Sequence, residues 1–134
     1  MWVRLRVWVG ALILAAVGSG CSATVPETLP RDAAPPDVVL VTYLNALVRG
    51  DCATARALST PGFATKGPWC FAPHVTSFSQ PGLGYEFENE VGYSAQITTE
   101  WGDSSLVDGD HTWFYGLRRD PGGPWRVAGA GSGP

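Results

Sequence analysis

The spacing of the apolar residues predicts helices in the first half of the folded chain. Between positions 38 and 48 they recur every three or four residues, which places them on one face of an amphipathic helix: Leu40, Tyr43, Leu44, Leu47 and Val48. Asp37 is the expected N-cap of this helix, and Gly50 is expected to end it. We therefore predict a first helix that buries one side against a core.

A shorter helix should follow immediately. Asp51 can cap residues 52–58, and the Ser-Thr-Pro-Gly sequence at 59–62 is expected to stop the helix. The following stretch, 63–72, contains aromatic residues and proline and is predicted to be irregular. Two helices that meet at a tight turn result.

From Val75 onward the pattern changes from helical to alternating. Over 85–101 nearly every apolar side chain occupies an odd position, which predicts one long curved strand or two strands in register, with a bend or bulge at Gly92. Further strands are predicted at 111–119 and 125–128, joined by an Asp-Pro-Gly-Gly turn. Helices followed by an antiparallel meander indicate an α+β domain, with the N-terminal helices packed on a curved sheet.

The first twenty residues have the pattern of an export signal. Arg4 and Arg6 precede an apolar run at 7–17. A membrane-crossing helix needs about 20 apolar residues for a hydrocarbon core of roughly 30 Å, so this run is too short to be one. We expect residues 1–20 to be removed.

The sequence Gly-Ser-Gly before Cys21 resembles a bacterial lipobox. That resemblance implies cleavage just before Cys21, attachment of lipid to its thiol, and a location on the extracytoplasmic face of the cell membrane. Ordinary cleavage after Ala23 is the alternative. Residues 21–36, rich in proline, are then a lipidated cysteine with a flexible tether, and 37–134 form a single domain.

The composition of the predicted mature chain restricts its partners. It carries seven basic and twelve acidic residues, a net charge of about -5, which argues against nucleic acid and against electrostatic attraction to an anionic membrane. A lipid anchor would therefore have to hold the chain at the membrane. Lys66 is the only lysine, and Ala, Gly, Val and Pro are abundant, which is typical of a GC-rich, actinobacterial genome.

Cys52 and Cys70 are predicted to form a disulfide. They lie eighteen positions apart in a chain sent to an oxidising compartment, and lipidation of Cys21 leaves them as an even pair. A redox or metal-binding pair would need a CxxC motif or nearby histidine ligands, and the sequence places neither there.

The segment YLNALVRGDCATARAL, the aromatic loop after it and the closing PWRV strand together resemble the nuclear transport factor 2-like superfamily, which has a cone-shaped α+β roll. They are especially similar to small actinobacterial lipoproteins with this fold. The resemblance covers roughly 37–130 and implies a pocket between helix and sheet. The residues that would line it here are Tyr43, Leu47, Tyr93, Ile97, Trp113 and Tyr115.

Residues suited to catalysis or metal binding are few. His111 is preceded by Asp108 and Asp110, which is typical of a surface histidine near a turn, and His74 follows a proline. Glu86, Glu88 and Glu90 are expected on one solvated strand face, where neighbours two apart are separated by roughly 6 to 7 Å. Asp103, Asp108 and Asp110 lack the spacing of a calcium loop. The sequence predicts neither a metal nor a cofactor.

Two functions are favoured, and a third interpretation, a purely structural spacer, would leave the aromatic residues wholly within the core. The first is a lipid-anchored binding domain for a small apolar ligand or a neighbouring envelope protein. The second is a small enzyme of the isomerase or cyclase type, which the superfamily also contains, using His111 or a carboxylate in the pocket. Members with one fold perform both roles, so the fold leaves the choice open.

Overall fold

The computed structural model describes residues 28–66, 69–70 and 72–133. The predicted signal peptide and the predicted lipidation site, Cys21, lie outside these residues. The described chain forms helices followed by strands, which are α1 (Pro36–Arg49), α2 (Cys52–Ala57), α3 (Pro61–Lys66), β1 (His74–Phe78), β2 (Gly82–Glu86), β3 (Glu90–Glu100), β4 (Gly109–Arg118) and β5 (Arg126–Gly131). The predicted α+β class is confirmed.

All five strands belong to one open antiparallel sheet in which β3 is central. One side of β3 pairs with β4, which in turn pairs with β5. The other side pairs with two strands, since β1 lies beside the C-terminal part of β3 and β2 beside its N-terminal part. Strands β1 and β2 therefore form one edge of the sheet, and β5 forms the other.

The first helix begins differently from the prediction. Its N-cap is Pro35, no side chain caps it, and Pro36 occupies the first turn. Asp37 lies inside that first turn, so its predicted role as the cap is wrong. Proline is favoured at the first helical position because its φ is already helical, and a carboxylate there still interacts well with the helix dipole. Gly50 ends the helix as predicted, in the left-handed conformation with φ 68°.

The second helix follows the prediction and ends before Ser59, but the segment after it differs from the prediction. Asp51 caps α2 by accepting hydrogen bonds from the backbone N–H of Thr54 (3.1 Å) and from its hydroxyl (2.6 Å). The Ser-Thr-Pro-Gly sequence, however, starts a third helix at Pro61. A proline after a polar residue suits the start of a helix as well as its end. Residues 63–66, which were predicted to be irregular, therefore belong to α3.

The long alternating stretch forms a hairpin. The chain turns at 87–89, where the N–H of Phe87 donates to the carbonyl of Glu90 (2.7 Å), and β3 then runs through Gly92 without a break. A bulge does occur here, but in the partner strand β2 between Leu83 and Tyr85, opposite Gly92. The turn residues, and not the glycine, thus separate the two strands.

The core lies between α1 and one face of the sheet. Helix α1 contributes Leu40, Tyr43, Leu44 and Leu47, and the odd positions of β3 and β4 supply most of the opposite side. The predicted disulfide is confirmed: Cys52 of α2 is bonded to Cys70, with Cα atoms 5.4 Å apart. It ties the short helices to the segment that leads into β1.

Candidate ligand-binding groove

Three glycines form a row across the face of the sheet that points away from α1. The strand register places Gly92 of β3 beside Gly116 of β4, and Gly116 beside Gly129 of β5. Tyr85 of β2 is the partner of Gly92 and extends the row to a fourth strand. Because glycine has no side chain, this row lowers the surface along a line that crosses the strands.

The ring of Tyr85 fills one half of the row. It lies so close to the backbone of Gly92 that a Cβ atom there would overlap three of its carbon atoms. A Cβ atom at Gly116 would lie 3.7 Å from the tyrosine hydroxyl, whereas at Gly129 it would meet nothing within 4 Å. The row is therefore covered at β2 and open at β5.

A groove of about 440 Å³ lies over this row. The residues that line it are small or aromatic: Gly84, Tyr85, Gly92, Tyr93, Ser94, Phe114, Tyr115, Gly116, Gly129, Ala130, Gly131 and Gly133. None of these described residues carries a charge, and Ser94 and Tyr85 supply the side-chain hydroxyls, since the side chains of Tyr93 and Tyr115 belong to the core. The groove is accordingly apolar and uncharged, with a flat floor.

An ion pair lies beside the groove. Nε of Arg118 lies 3.3 Å from Oε2 of Glu90, and the hydroxyl of Tyr85 donates to Oε1 of the same carboxylate (3.1 Å). Partial burial, and then the hydrogen bond to Glu90, raise the pKa of Tyr85, so its phenol is neutral at physiological pH. The ion pair is solvent-exposed and is expected to contribute little to stability, but it orients the ring that covers the glycines.

The six residues predicted to line a pocket lie mainly in the core. Tyr43, Leu47, Ile97 and Tyr115 are fully buried, Tyr93 is buried, and Trp113 is half-buried. The rings of Tyr43 and Tyr115 meet edge to face at 6.2 Å, and Trp113 packs against Trp69 at 4.6 Å. Tyr93 and Tyr115 also border the groove on the opposite face. The structure thus brings these side chains together as packing partners.

Neither histidine reaches the groove. Nε2 of His111 lies 2.8 Å from the carbonyl oxygen of Val107, and because a carbonyl can only accept, this nitrogen carries the proton. His74 stacks on Trp101 with ring centroids 5.2 Å apart. Both contacts belong to the end of the domain that holds the β3–β4 loop. The histidines are placed to support that loop.

The acidic residues are likewise engaged in contacts with nearby residues. Glu86 and Glu90 lie on different strands of the hairpin, so the expectation of three glutamates on one strand face is wrong. Asp103 accepts hydrogen bonds from Ser105 and Leu106, which lower the pKa of its carboxyl group. Across the described residues, no cluster of three His, Cys, Asp or Glu side chains could hold a metal ion.

Sequence reasoning missed the groove. Each glycine was visible in the sequence, but only the register of four strands shows that Gly92, Gly116 and Gly129 lie side by side. One usable signal was the exposed aromatic residue Tyr85 in a strand whose neighbour carries a glycine, since aromatic rings commonly cover glycines across strands.

Comparison with known protein families finds no family model that matches this chain, and comparison with the curated proteins finds no match. In the part of the chain that the structure describes, no helix has the length and apolar character needed to cross a bilayer. The fold and the groove together define an α+β domain with an apolar groove on the outer face of its sheet.

Proposed function

We propose that this protein is a lipid-anchored extracytoplasmic binding module, of the nuclear transport factor 2-like type, that holds a small apolar ligand in the glycine-floored groove. The observation that carries the proposal is the row Gly92, Gly116 and Gly129, above which an uncharged groove of about 440 Å³ remains open. Ligand sites are typically concave, mostly apolar and about 300–1,000 Å³ in volume.

The shape of the groove favours a flat ligand. Its floor is backbone without side chains, and the rings of Tyr85 and Phe114 lie among the lining residues. Aromatic rings interact well with other rings in stacked or edge-to-face arrangements, each contributing about 0.5–1.5 kcal/mol beyond the area buried. An uncharged planar ring therefore fits both the floor and the walls.

The alternative of a small isomerase or cyclase has less support. General acid–base catalysis needs a titratable group within hydrogen-bonding distance of the substrate. The groove is lined by no histidine or carboxylate among the described residues, and His111 is engaged with Val107. We therefore favour binding over catalysis.

The proposal can be tested with the neutral fluorescent probe N-phenyl-1-naphthylamine and one groove-filling variant. Gly129→Val places a side chain in open space, so the variant should fold while occupying the groove. Thr112→Val is the matched control, because it adds valine to an exposed position of β4 that does not line the groove. We expect the probe to bind the native protein and Thr112→Val alike, and Gly129→Val at least about tenfold more weakly.

Two results would count against the proposal. One is equal probe affinity in Gly129→Val and the native protein, provided that both show the same far-UV circular dichroism. The other is a titration with indole that leaves the amide NMR signals of Gly116 and Gly129 unmoved.

A further inference from the structure

The chain reaches α1 at one end of the domain, which we call the tether pole and define as residues 28–38, 87–89 and 119–125. Ala34 and Pro35 share a surface cavity of about 390 Å³ with Arg119 and Trp125. The guanidinium of Arg119 lies 4.6 Å from the centroid of the Trp125 ring, and its Nε donates to Oδ1 of Asn89 (3.2 Å). These contacts bind the tether, the β4–β5 turn and the hairpin turn into one surface.

Large apolar side chains are exposed on this pole. Phe87 at the hairpin turn is 68% exposed, Leu29 in the tether 49%, and Val38 in the first turn of α1 43%. Phe87 contacts Tyr85, with ring centroids 5.7 Å apart, and otherwise faces solvent. A surface held against a lipid layer could bury these side chains. Trp101 and Val107, at the opposite end, are exposed to a similar degree (65% and 64%), so the position of the tether, and not exposure alone, selects this pole.

The charges of a depression beside the hairpin turn cancel, whereas the pole as a whole is acidic, with two arginines against four acidic residues. This shallow depression borders the pole and is lined by three arginines and three acidic residues, of which Arg119, Glu88 and Asp120 belong to the pole and Arg118, Arg126 and Glu90 lie beside it. Such a surface has no net attraction for anionic lipid, but it can meet zwitterionic headgroups, which carry both signs of charge. The matching partner is therefore a headgroup layer and not a charged macromolecule.

The length of the tether limits how far this pole can lie from a membrane. Cys21 precedes the first described residue, Thr28, by seven positions. A fully extended chain spans at most about 3.6 Å per residue, so a lipid on Cys21 would hold Thr28 within roughly 25 Å of the bilayer surface. The opposite end of the domain, with the β3–β4 loop, is farther by the length of the sheet.

From these observations we infer that the tether pole is a membrane-facing surface and that Phe87 inserts into the headgroup layer. This inference depends on the lipid anchor in the proposed function. It also places the groove close to the lipid, because Gly92 lies only two residues, about 7 Å, along β3 from Glu90. A ligand dissolved in the bilayer could then reach the groove directly.

The test uses the full chain, expressed with its signal, purified from membranes and placed in phosphatidylcholine bicelles with a headgroup nitroxide lipid. Amide signals of 87–89 and 122–123 should lose at least about twice as much intensity as those of the 102–108 loop, because paramagnetic relaxation falls steeply with distance. Phe87→Ser should reduce the loss at Asn89. Trp101→Ser is the matched control, since Trp101 is 65% exposed at the opposite end, and it should leave that loss unchanged.

The outcomes separate the two proposals. An acylated protein whose 102–108 loop is affected equally or more overturns the orientation alone. A mass spectrum without an acyl group on Cys21 overturns both the anchor and the orientation. The affinity of the groove for the naphthylamine probe is measured without lipid, so its result depends on neither.

Discussion

The ring of Tyr85 lies directly on the backbone of Gly92, its partner on the neighbouring strand. The contact covers one half of the glycine row and leaves the other half as a groove. It explains why residue 92 must be glycine, although its backbone shows no left-handed φ: the space for a Cβ atom is taken by an aromatic ring.

The first prediction concerns this contact. Gly92→Ala should lower the free energy of unfolding by about 1–3 kcal/mol, because the new methyl group must displace the Tyr85 ring. In a Tyr85→Ala background the same change should cost much less. Urea unfolding of the four proteins forms a double-mutant cycle, and strictly additive effects would contradict the contact.

Gly116→Ala provides the control for that cycle. A Cβ atom at Gly116 makes only an ordinary contact of 3.7 Å with the Tyr85 hydroxyl. We expect a change in stability within the scatter of about 0.5 kcal/mol that surface substitutions normally show.

The second prediction concerns the cap of α2. Asp51→Ala should destabilise the protein by about 1 kcal/mol in chemical denaturation, because the N–H of Thr54 loses its acceptor. Asp51→Asn should retain most of the stability at pH 7, since an amide oxygen can also accept. A variant as stable as the native protein would show that the cap contributes nothing.

The same residue has an expected pH dependence. Hydrogen bonds from the Thr54 side chain and backbone lower the pKa of Asp51. A lowered folded-state pKa means that the ionised form stabilises the fold above the unfolded value of about 3.9, and that this contribution is lost as the pH falls through the folded-state pKa. The stability difference between native protein and Asp51→Asn should therefore shrink below about pH 4.

The third prediction concerns the disulfide. Cys52→Ser should destabilise the fold by about 3 kcal/mol, the loop-closure value for a span of this length. Thermal unfolding of the oxidised protein measures the loss. In the unreduced native protein a thiol reagent should label neither Cys52 nor Cys70, and labelling at both positions would refute the bond.

The fourth prediction concerns alkaline unfolding. Burial raises the pKa of Tyr43 and Tyr115 well above the ordinary value for a phenol. Because the folded state favours the neutral forms, stability is fully present below about pH 10 and is lost as the pH rises above that value. Absorbance at 295 nm should show that these two tyrosines ionise only as the protein unfolds. Tyr43→Phe should move the unfolding midpoint to higher pH.

Local sequence patterns predicted most of the helices and strands. The face of α1 that holds Tyr43 and Leu47 followed from a period of 3.6 residues, and the inward face of β3 followed from a period of two. Both periods reflect backbone geometry within one element, so neighbouring residues are enough to reveal them. The Asp51 cap and the Gly50 helix end were visible for the same reason, because each depends on a few consecutive residues.

Residues that begin or end a helix were harder to interpret. Pro61 was expected only to help stop a helix and also begins a third one, and Asp37 was expected to cap α1 but lies inside its first turn. Proline and short polar residues suit the end of one element and the start of the next equally well. The choice between these positions is made by packing against the rest of the chain.

The groove forms only because residues that are far apart in the sequence come into contact. Gly92, Gly116 and Gly129 become neighbours because the hairpin turn at 87–89 and the register of β3, β4 and β5 align them. A shift of one residue in any pairing would move a side chain into the row or turn it to the other face. Register is set by long-range packing, and for that reason the helices and strands could be inferred from the sequence while the binding surface emerged only from the way the strands are aligned.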